Sequence, residues 1–435
     1  MRVLFLNRSY YPDIEATGQL LSELCADLSI RHDITVIAGQ PNFITNGKKG
    51  GLIDHSFHEG VDIVRVRNLR FDKKSLLRRG AGLISYLFLA FWAALWQRRP
   101  DVIVVETDPP ILGVMGLLLK RWHRCSLVFY LQDLFPEVGL ILGHLKPGLL
   151  TFVLRWITQI TLDYADRVVV LGEDMKQRVV QRGVEPAKIA IVPNWADVSA
   201  LKTNETNERN NSLRKEWGLE DRFVVMYSGN LGLSQNLSQV LDAAEMLQGE
   251  RAAFVFVGEG AAKERLMSLA AERKLDNVQF QPYQPKNQLG LSLAAADVHL
   301  IPLQRGLAGY IVPSKLYGIL AVSRPYIASV DEESEVALIT HREKTGLRIE
   351  PDSPTALANA IRWCLTHRKE LAEMGRRGGL VAESYFDRRR SVSLFALVLK
   401  GLEKPERKVA SDSAEGQHEE TGYATRSLAF LRTDS

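Results

Sequence analysis

The chain has 435 residues, a net charge of +4 at pH 7, 46% hydrophobic residues and 24% charged residues. This length exceeds one ordinary hydrophobic core and predicts two globular domains, while the small net charge gives no indication of a nucleic-acid partner. Cys25, Cys125 and Cys364 lie far apart and form no CxxC pair, which argues against a disulfide framework and predicts a reducing, cytoplasmic compartment. A short apolar strand starts almost at once, with Val3 to Leu6, and no small-residue cleavage site follows it, so we expect no signal peptide.

The first half of the chain alternates apolar strand-like runs with amphipathic stretches. The predicted strands cover residues 2–6, 34–37, 61–66, 101–105, 126–130, 167–171 and 189–192. The predicted helices cover residues 18–30, 76–98, 110–123, 148–164 and 173–182. Strands that are separated by helices pair in parallel through right-handed crossovers, so this half predicts a doubly wound α/β domain.

One helical segment, residues 81–96, is almost wholly apolar and reads AGLISYLFLAFWAALW. Sixteen residues cover about 24 Å, which is short of the roughly 30 Å hydrocarbon core of a bilayer. Lysines and arginines flank the segment at 73–79 and 98–99, and it carries Trp92 and Trp96. Three interpretations stay open: a buried helix, a helix lying in the interface of an anionic membrane, and a true span. The apolar run near 149–160 is a second candidate for membrane contact.

The second half repeats the alternation after a polar stretch. Predicted strands cover residues 223–227, 253–257, 278–280, 298–302 and 325–329, with helices near 237–247, 262–273, 286–295, 314–321, 334–341 and 354–366. The sequence therefore predicts a tandem of two Rossmann-like domains. The predicted boundaries are 1–197 for the first domain, 198–215 for a linker, 216–385 for the second domain, 386–403 for a helix packing back on the first, and 404–435 for a disordered tail.

Ligands of open α/β sheets bind outside the carboxyl ends of the strands, so the turns that follow the strands are the places to look. The turn after the first strand, residues 7–19, ends in Thr17 and Gly18 just before a helix. Small residues there let backbone N–H groups approach a phosphate. An ordinary strand-to-helix turn is the alternative.

A second turn carries two carboxylates after the strand at 126–130. Asp133 and Glu137 lie four residues apart, and Gln132 precedes them. At the carboxyl end of a strand such groups are placed to handle a developing charge or an acceptor hydroxyl. The alternative is a helix cap and a surface glutamate.

A third turn, residues 228–236, places Gly229, Asn230 and Gly232 between a strand and a helix. This arrangement is typical of nucleotide-binding loops, although the full GxGxxG pattern is absent.

The fourth turn, residues 306–318, leads into a helix that opens with Ser314 and Lys315. The helix dipole favours anions at that end, so a lysine in the first turn is unusual unless an anion binds there. A bound diphosphate would satisfy both the dipole and the lysine. A solvent-facing lysine is the alternative.

Metal chemistry is not expected. The histidines are scattered without ligand spacing, and no GxxxxGK[ST] motif is present.

Together the turns resemble the retaining family 4 glycosyltransferases of GT-B fold, most of all those of colanic-acid and O-antigen synthesis that handle fucose or N-acetylfucosamine-type sugars. The matching motifs are Tyr11-Pro12 with Gly18, residues 132–137, 164–167, 192–197, 227–232 and 257–260, Ala296-Asp297, residues 313–317, and Arg324-Pro325. Their order and spacing cover residues 3 to 400 and are specific, although each motif alone is loose.

This resemblance implies transfer from a nucleotide-diphosphate sugar, held mainly by the second domain, without a cofactor or metal. It implies a lipid-linked or oligosaccharide acceptor on the first domain, in a protein peripheral to the inner face of the cell membrane. The implied catalytic residues are Asp133 and Lys315. The implied donor-binding residues are Gly18, Gly229, Asn230, Gly258, Arg305, Ser314, Lys315 and Tyr317, and the acceptor-side residues are Thr17, Gln132 and Glu137.

The sequence departs from the broad family in its charged residues. Tyr310 and Gly318 stand where the family has two glutamates eight residues apart, and Asn230 and Gln235 stand where it has an arginine and a lysine. Asp133 lies near the place of the family's first-domain histidine.

The positive charge on the diphosphate must then come from elsewhere, and Lys315 is the first candidate and Arg305 the second. The missing glutamates and the apolar segment 81–96 leave open a non-catalytic GT-B scaffold at the membrane. A nucleotide-sugar epimerase or another GT-B enzyme is a further alternative.

Overall fold

The computed structural model describes residues 1–13, 16–41, 51–67, 76–202, 211–232 and 235–403, and the side chains of these residues except 76–81. The predicted disordered tail, 404–435, and the middle of the predicted linker, 203–210, lie outside this part of the chain.

The first domain alternates strands and helices along the chain. Its elements are β1 (Arg2–Leu6), α1 (Ala16–Ser29), β2 (Asp33–Gly39), β3 (Ile53–His58), β4 (Val61–Val66), α2 (Leu76–Leu95), β5 (Val102–Val105), α3 (Leu112–His123), β6 (Ser126–Tyr130), α4 (Glu137–Ile141), α5 (Leu149–Tyr164), β7 (Arg167–Val170), α6 (Glu173–Gln181), β8 (Ile189–Ile191) and α7 (Val198–Leu201).

These strands form one eight-stranded sheet in the order β3-β4-β2-β1-β5-β6-β7-β8. Every pair is parallel except β3 with β4. The central strands β1 and β5 are buried almost throughout, as expected of parallel strands covered by helices on both faces. The direction of winding reverses between β1 and β5, so a ligand crevice is expected at their carboxyl ends.

The second domain repeats the pattern. Its elements are α8 (Ser212–Glu216), β9 (Phe223–Ser228), α9 (Ser238–Met246), β10 (Ala252–Val257), α10 (Lys263–Glu272), β11 (Val278–Gln281), α11 (Leu289–Ala294), β12 (Val298–Pro302), α12 (Lys315–Ala321), β13 (Tyr326–Ser329), α13 (Glu335–Glu343), β14 (Gly346–Ile349), α14 (Pro354–Thr366), α15 (Arg368–Tyr385) and α16 (Arg388–Lys400).

Its six strands pair in parallel in the order β11-β10-β9-β12-β13-β14, and the winding reverses between β9 and β12. The turns that follow β9 and β12 therefore border the second crevice. Two doubly wound α/β sheets in tandem confirm the predicted fold class.

The last helix, α16, packs on the first domain although it follows the second in sequence. Phe395 is fully buried, with its ring centroid 5.4 Å from that of Tyr130 and 6.1 Å from that of Phe5. Arg388 adds an ion pair to Asp27 of α1 at 2.8 Å. The chain thus crosses back and ties both domains together.

Several elements were not predicted. β3 was missed because four of its six residues are exposed and none is buried, so it has no buried apolar run. It joins β4 through Glu59 and Gly60, both at positive φ. The strand β14 and the helices α4 and α15 were missed as well. The ends of the predicted linker are also ordered, since α7 and α8 lie in it and Leu213 is buried in the second domain.

Candidate active site

The first-domain crevice is built from the turns after β1, β5 and β6. Arg8 pairs with Asp108 at 3.2 Å, which joins the turns after β1 and β5. The Thr107 hydroxyl accepts hydrogen bonds from the backbone N–H groups of Gln132 and Asp133, both at 3.3 Å. Residues that are distant in sequence are therefore brought to one edge of the sheet.

Asp133 lies where the two domains meet. It forms a β-bridge with Ile311 of the second domain, and the neighbouring Leu134 N–H donates to the Tyr310 carbonyl at 2.9 Å. Burial, together with the nearby carboxylate of Asp108, raises the pKa of Asp133 to about 7. A carboxyl group with this pKa changes its protonation state near neutral pH.

Glu106 is a site residue that the sequence reasoning missed. Its side chain is 1% exposed at the carboxyl end of β5, where Oε1 accepts from Gln132 Nε2 at 3.1 Å. Oε2 has no hydrogen-bond partner among the described residues. Burial raises the pKa of Glu106 to about 8, and Asp108 adds to the rise. A glutamate directly after a buried apolar strand was the signal in the sequence.

The second-domain crevice depends on two glycines. Gly229 and Gly258 adopt φ of +137° and +147°, and a Cβ on Gly258 would lie 2.0 Å from the Gly229 carbonyl oxygen. Residues with side chains rarely adopt this backbone and would not fit. The Gly229 N–H is already bonded to the Val257 carbonyl at 2.9 Å, so it is not available to a ligand in this arrangement.

Lys315 occupies the first position of α12 beside this turn. Its Nζ lies 4.6 Å from the centroid of the Tyr227 ring, and its Cε lies 3.5 Å from where a Cβ of Gly229 would be. It has no carboxylate partner among the residues that the structure describes. Burial lowers the pKa of Lys315 to about 8. A partly buried cation without a counter-ion is an anion-binding feature.

The other predicted donor residues have different environments. Arg305 is 59% exposed and bonds to Glu350 at 3.4 Å and to the Pro351 carbonyl at 3.2 Å. Asn230 is exposed at the rim, and its carbonyl accepts from the Tyr227 hydroxyl at 2.7 Å. Ser314 precedes α12 without capping it by its side chain.

Two predicted site residues lie elsewhere. Tyr317 is fully buried and packs edge-on against Phe386 at 5.1 Å between ring centroids, so its place is the core and not the crevice. Glu137 pairs with Arg155 at 3.0 Å and Arg182 at 2.7 Å. Burial alone would raise the pKa of Glu137, but the arginines bring it below its usual range. Glu137 thus joins α4 to its neighbours and is not free to contact an acceptor.

The small residues that end the turn after β1 serve packing. Thr17 and Gly18 lie in the first turn of α1, and Gly18 is buried with the Tyr10 backbone nitrogen 3.4 Å from where its Cβ would be. The structure brings Gly18 to the first-domain edge and Gly229 to the second.

Helix α2 has two faces. Tyr86, Ala90 and Ala94 are buried against the sheet, whereas an exposed apolar side chain recurs every fourth residue. These exposed residues are Ile84, Phe88 and Trp92, and the series continues at Trp96 in the turn directly after the helix. The buried-helix interpretation therefore holds for one face alone. No helix in the described part of the chain combines the length and apolar character that crossing a bilayer requires.

Both halves of the chain match family models. Residues 16–195 match the glycosyl transferase 4-like domain, and residues 209–380 match the glycosyl transferases group 1.

Two relatives cover most of the chain. It is 28% identical over 377 residues to the putative colanic acid biosynthesis glycosyl transferase WcaI of Escherichia coli (strain K12), which covers 84% of this chain and 92% of the relative. It is 30% identical over 295 residues to the probable glycosyltransferase WbjE of Pseudomonas aeruginosa, which covers 67% of this chain and 73% of that one.

Solved structures are similar over nearly the whole length. Alr3699/HepE from Anabaena, in complex with UDP, superimposes with a TM-score of 0.71 at 16% identity and covers 92% of this chain and all of its own. Sucrose-phosphate synthase from Thermosynechococcus elongatus gives a TM-score of 0.72 at 16% identity, over 92% of this chain and 99% of its own. These similarities establish the fold, a GT-B arrangement of two Rossmann-like domains, while the relatives and family models establish the family. The chain belongs to the family 4 glycosyltransferases of GT-B fold, the family that its motifs predicted.

Proposed function

We propose that this glycosyltransferase moves a sugar from a nucleotide-diphosphate donor to a lipid-linked glycan acceptor, with retention at the anomeric carbon, during the synthesis of a bacterial surface polysaccharide. The relative named for colanic acid biosynthesis supports the polysaccharide, and the UDP bound by the similar Alr3699/HepE supports a nucleotide donor. The sugar is proposed to be of the fucose or N-acetylfucosamine type, and the reaction to proceed without a metal or cofactor.

Lys315 is the observation that carries the proposal. Its ammonium group lies at the carboxyl edge of the second sheet, over the Tyr227 ring, and lacks a carboxylate partner among the described residues. A donor diphosphate placed against the turn at Gly229 would supply the missing counter-charge. Its pKa of about 8 keeps most of the lysine protonated at pH 7, and a bound diphosphate would raise the pKa further.

The proposed step breaks the bond between the anomeric carbon and the β-phosphate oxygen and forms a bond to the acceptor oxygen on the same face. The acceptor proton passes to the departing phosphate oxygen. The negative charge on that oxygen grows as the bond breaks, so a fixed cation stabilises the transition state more than the bound donor. Asp133, on the opposite domain, would orient the acceptor hydroxyl.

The test replaces Lys315 by alanine. Because one positioned donor of this kind contributes about 10²–10³ in rate, we expect Lys315→Ala to lower kcat by that factor with little change in thermal stability. Lys315→Arg should recover part of the activity. The matched control is Lys369→Ala, an exposed lysine on α15 of the same domain.

The assay incubates a panel of UDP-, GDP- and dTDP-sugars with a membrane lipid extract and follows both the nucleotide diphosphate released and the fate of the sugar. Full activity of Lys315→Ala would remove Lys315 from the site. Conversion of the donor sugar without an acceptor would indicate an epimerase. Binding of the nucleotide without turnover on any acceptor would indicate a scaffold.

We also propose that the chain is peripheral to the inner face of an anionic membrane. Helix α3 packs between α2 and α5, so the three form one layer on the first domain. Their exposed apolar side chains form what we call the apolar face: Ile84, Phe88, Trp92, Trp96, Leu118, Trp122, Leu149, Leu150, Phe152 and Trp156. Large exposed apolar areas with tryptophans mark surfaces that bind partners or lipids.

Charge favours lipid as the occupant of the apolar face. Among the side chains that the structure describes, the three helices carry Lys120, Arg121 and Arg155 and one acidic residue, Asp163, and Lys120 and Arg155 are paired with Asp166 and Glu137. Arg98, Arg99 and Arg124 are exposed beyond the ends of α2 and α3. Basic groups near an anionic bilayer each contribute about 1 kcal/mol, which would add to the insertion of the exposed apolar residues into the interface.

Flotation with vesicles of phosphatidylglycerol and phosphatidylethanolamine tests this part. We expect the protein to float with these vesicles, to float less with neutral phosphatidylcholine, and to lose flotation in Trp92→Ser or Trp156→Ser. Leu380→Ser removes an equally exposed apolar residue from α15 and serves as control. A wild-type protein that stays at the bottom with anionic vesicles would contradict membrane docking without touching the assignment of Lys315.

A further inference from the structure

Two helices of different domains begin directly against each other. The Glu335 carboxylate, at the start of α13, accepts a hydrogen bond from the Glu173 N–H of α6 at 2.7 Å. In return the Asp174 carboxylate of α6 accepts from the Glu335 N–H at 2.8 Å. Each helix thus receives an acidic side chain from the other at the end where the dipole favours negative charge. We call these four hydrogen-bonding groups, with Arg178, the interlock.

The interlock also holds a loop of the second domain. The same Asp174 Oδ2 accepts from the Gly309 N–H at 3.0 Å. The Arg178 guanidinium donates to the Ala308 carbonyl at 3.3 and 3.4 Å and lies 4.9 Å from the centroid of the Tyr310 ring. Asp174 is 5% exposed, so these bonds are shielded from water.

The loop at Gly309 lies so close to α6 that no side chain would fit between them. Gly309 has φ of +76°, and a Cβ there would lie 2.7 Å from Arg178 Cγ and 2.9 Å from the Asp174 carbonyl oxygen. A glycine is therefore required where the loop crosses α6. Three interactions fix residues 308–310. The Gly309 N–H donates to Asp174, the Ala308 carbonyl accepts from Arg178, and the Tyr310 ring lies against the Arg178 guanidinium.

This loop leads directly to the proposed donor site. Tyr310 and Ile311 meet the Leu134 N–H and Asp133 of the first domain, and Lys315 follows four residues later at the start of α12. The segment between the interlock and Lys315 is short. A shift of the loop would therefore be carried to the lysine.

We propose that Asp174 and Arg178, on the first domain, are positioning residues for the donor site of the second, because they fix the loop that places Lys315 against the donor diphosphate. They act through the loop and do not touch the substrate. This inference rests on the proposed role of Lys315 and adds that the donor site is complete only when the two domains meet. It assigns α6 a part in donor affinity.

Nucleotide affinity measured by calorimetry tests the inference. The probes are whichever of UDP, GDP and dTDP the wild-type chain binds and the matching monophosphate. We expect Arg178→Met, which keeps the apolar stem beside Tyr310 but removes the donors, to weaken diphosphate binding roughly tenfold, as expected for a lost hydrogen bond to a charged group. Monophosphate binding should change little, because the loop acts on the part of the site that holds the diphosphate.

Two further variants separate positioning from general damage. Arg178→Lys keeps the charge and one donor, so its diphosphate affinity should fall between those of the wild type and Arg178→Met. Lys286→Ala breaks another contact between the domains, the 3.1 Å ion pair with Glu23, and should leave the affinity unchanged. In a Lys315→Ala background, Arg178→Met should lose most of its effect, since coupled residues are not additive.

Each outcome decides a separate point. Equal diphosphate affinity in wild type and Arg178→Met, or an equal loss in Lys286→Ala, overturns the positioning role. If Arg178→Met does not fold, Arg178→Lys decides, and an unchanged ratio of diphosphate to monophosphate affinity in it overturns the role. No nucleotide binding by the wild-type chain refutes the donor site itself and the inference with it.

Discussion

Glu106 is the most deeply buried carboxyl group at the first-domain edge, and replacing it by glutamine has a calculable effect on stability. Burial raises its pKa from 4.5 to about 8, with Asp108 adding to the rise and the hydrogen bond from Gln132 opposing it. Since the folded pKa lies above the unfolded one, the fold favours the protonated form. The contribution of Glu106 to stability is therefore complete below about pH 4.5 and is lost as the pH rises through about 8.

Each pKa unit corresponds to about 1.4 kcal/mol, so the interval from 4.5 to about 8 sets an upper bound of about 5 kcal/mol on this loss. Glu106→Gln stays neutral at every pH and keeps an oxygen for Gln132 Nε2 to bond. For a domain of 150–250 residues a change of 1 kcal/mol moves the unfolding midpoint by about 2–4 °C. We expect the midpoint of Glu106→Gln to gain on the wild type by up to about 10–20 °C between pH 5 and pH 9.

Thermal unfolding followed by circular dichroism across this pH range measures the difference. Glu220→Gln, at an exposed position, is the control and should show no trend with pH. A difference between Glu106→Gln and the wild type that stays constant from pH 5 to pH 9 would refute the assignment of a protonated Glu106. If Glu106→Gln does not fold at pH 5, the protonated Glu106 Oε2 must make a contact in the wild type that an amide group cannot make.

Two other substitutions test the edges of the crevice. Asp133→Asn should lower kcat about 10²-fold or more and abolish a rise in activity as the pH passes about 7, where the Asp133 carboxyl ionises. Glu137→Gln is the control and should keep that rise. If Asp133→Asn shows the same pH profile as the wild type, Asp133 takes no part in the reaction. Gly258→Ala should destabilise the second domain by about 2–4 kcal/mol, since its Cβ would lie 2.0 Å from a backbone oxygen. Gly148→Ala, where a Cβ meets nothing within 4 Å, is the matched control for unfolding measurements, and equal midpoints of the two variants would contradict the packing argument.

The fold could be predicted because its signals are local. Runs such as 102–105 and 252–257 are apolar and short, and they recur between amphipathic helices, which is enough to indicate parallel sheets. The antiparallel strand β3 could not be found in this way, because an exposed edge strand lacks a buried run. Helix α16 was expected on the first domain, and the structure shows which side chain anchors it, Phe395.

The sequence predicted which turns lie at the site, but not which side chains of those turns point into it. The turns of Asp133, Gly229 and Lys315 do lie at the carboxyl edges of the sheets. Tyr317 and Glu137 were misplaced, since a motif gives no sign of which side chains on a helix face the core or which meet an arginine from a distant helix. The interlock of Asp174 with Glu335 joins residues 161 positions apart in sequence and leaves no periodic pattern.

If Lys315 binds the donor diphosphate as we propose, the departures from the broad family give it a larger role than it would have with other positive charges beside it. Asn230 and Gln235 take the place of the family's arginine and lysine, so two positive charges near the third turn are missing. Arg305 is no substitute in this arrangement, because it already pairs with Glu350 and is 59% exposed, and a surface ion pair of that kind is weak and screened. Lys315 is partly buried, where a charge acts across a lower effective dielectric: at 4 Å two unit charges interact by about 4 kcal/mol near a protein surface against about 1 kcal/mol in water. In the proposed site, the loss of charged neighbours and the burial of the remaining lysine would therefore act together. The diphosphate would then depend on one residue, held in place by a loop that the other domain contacts.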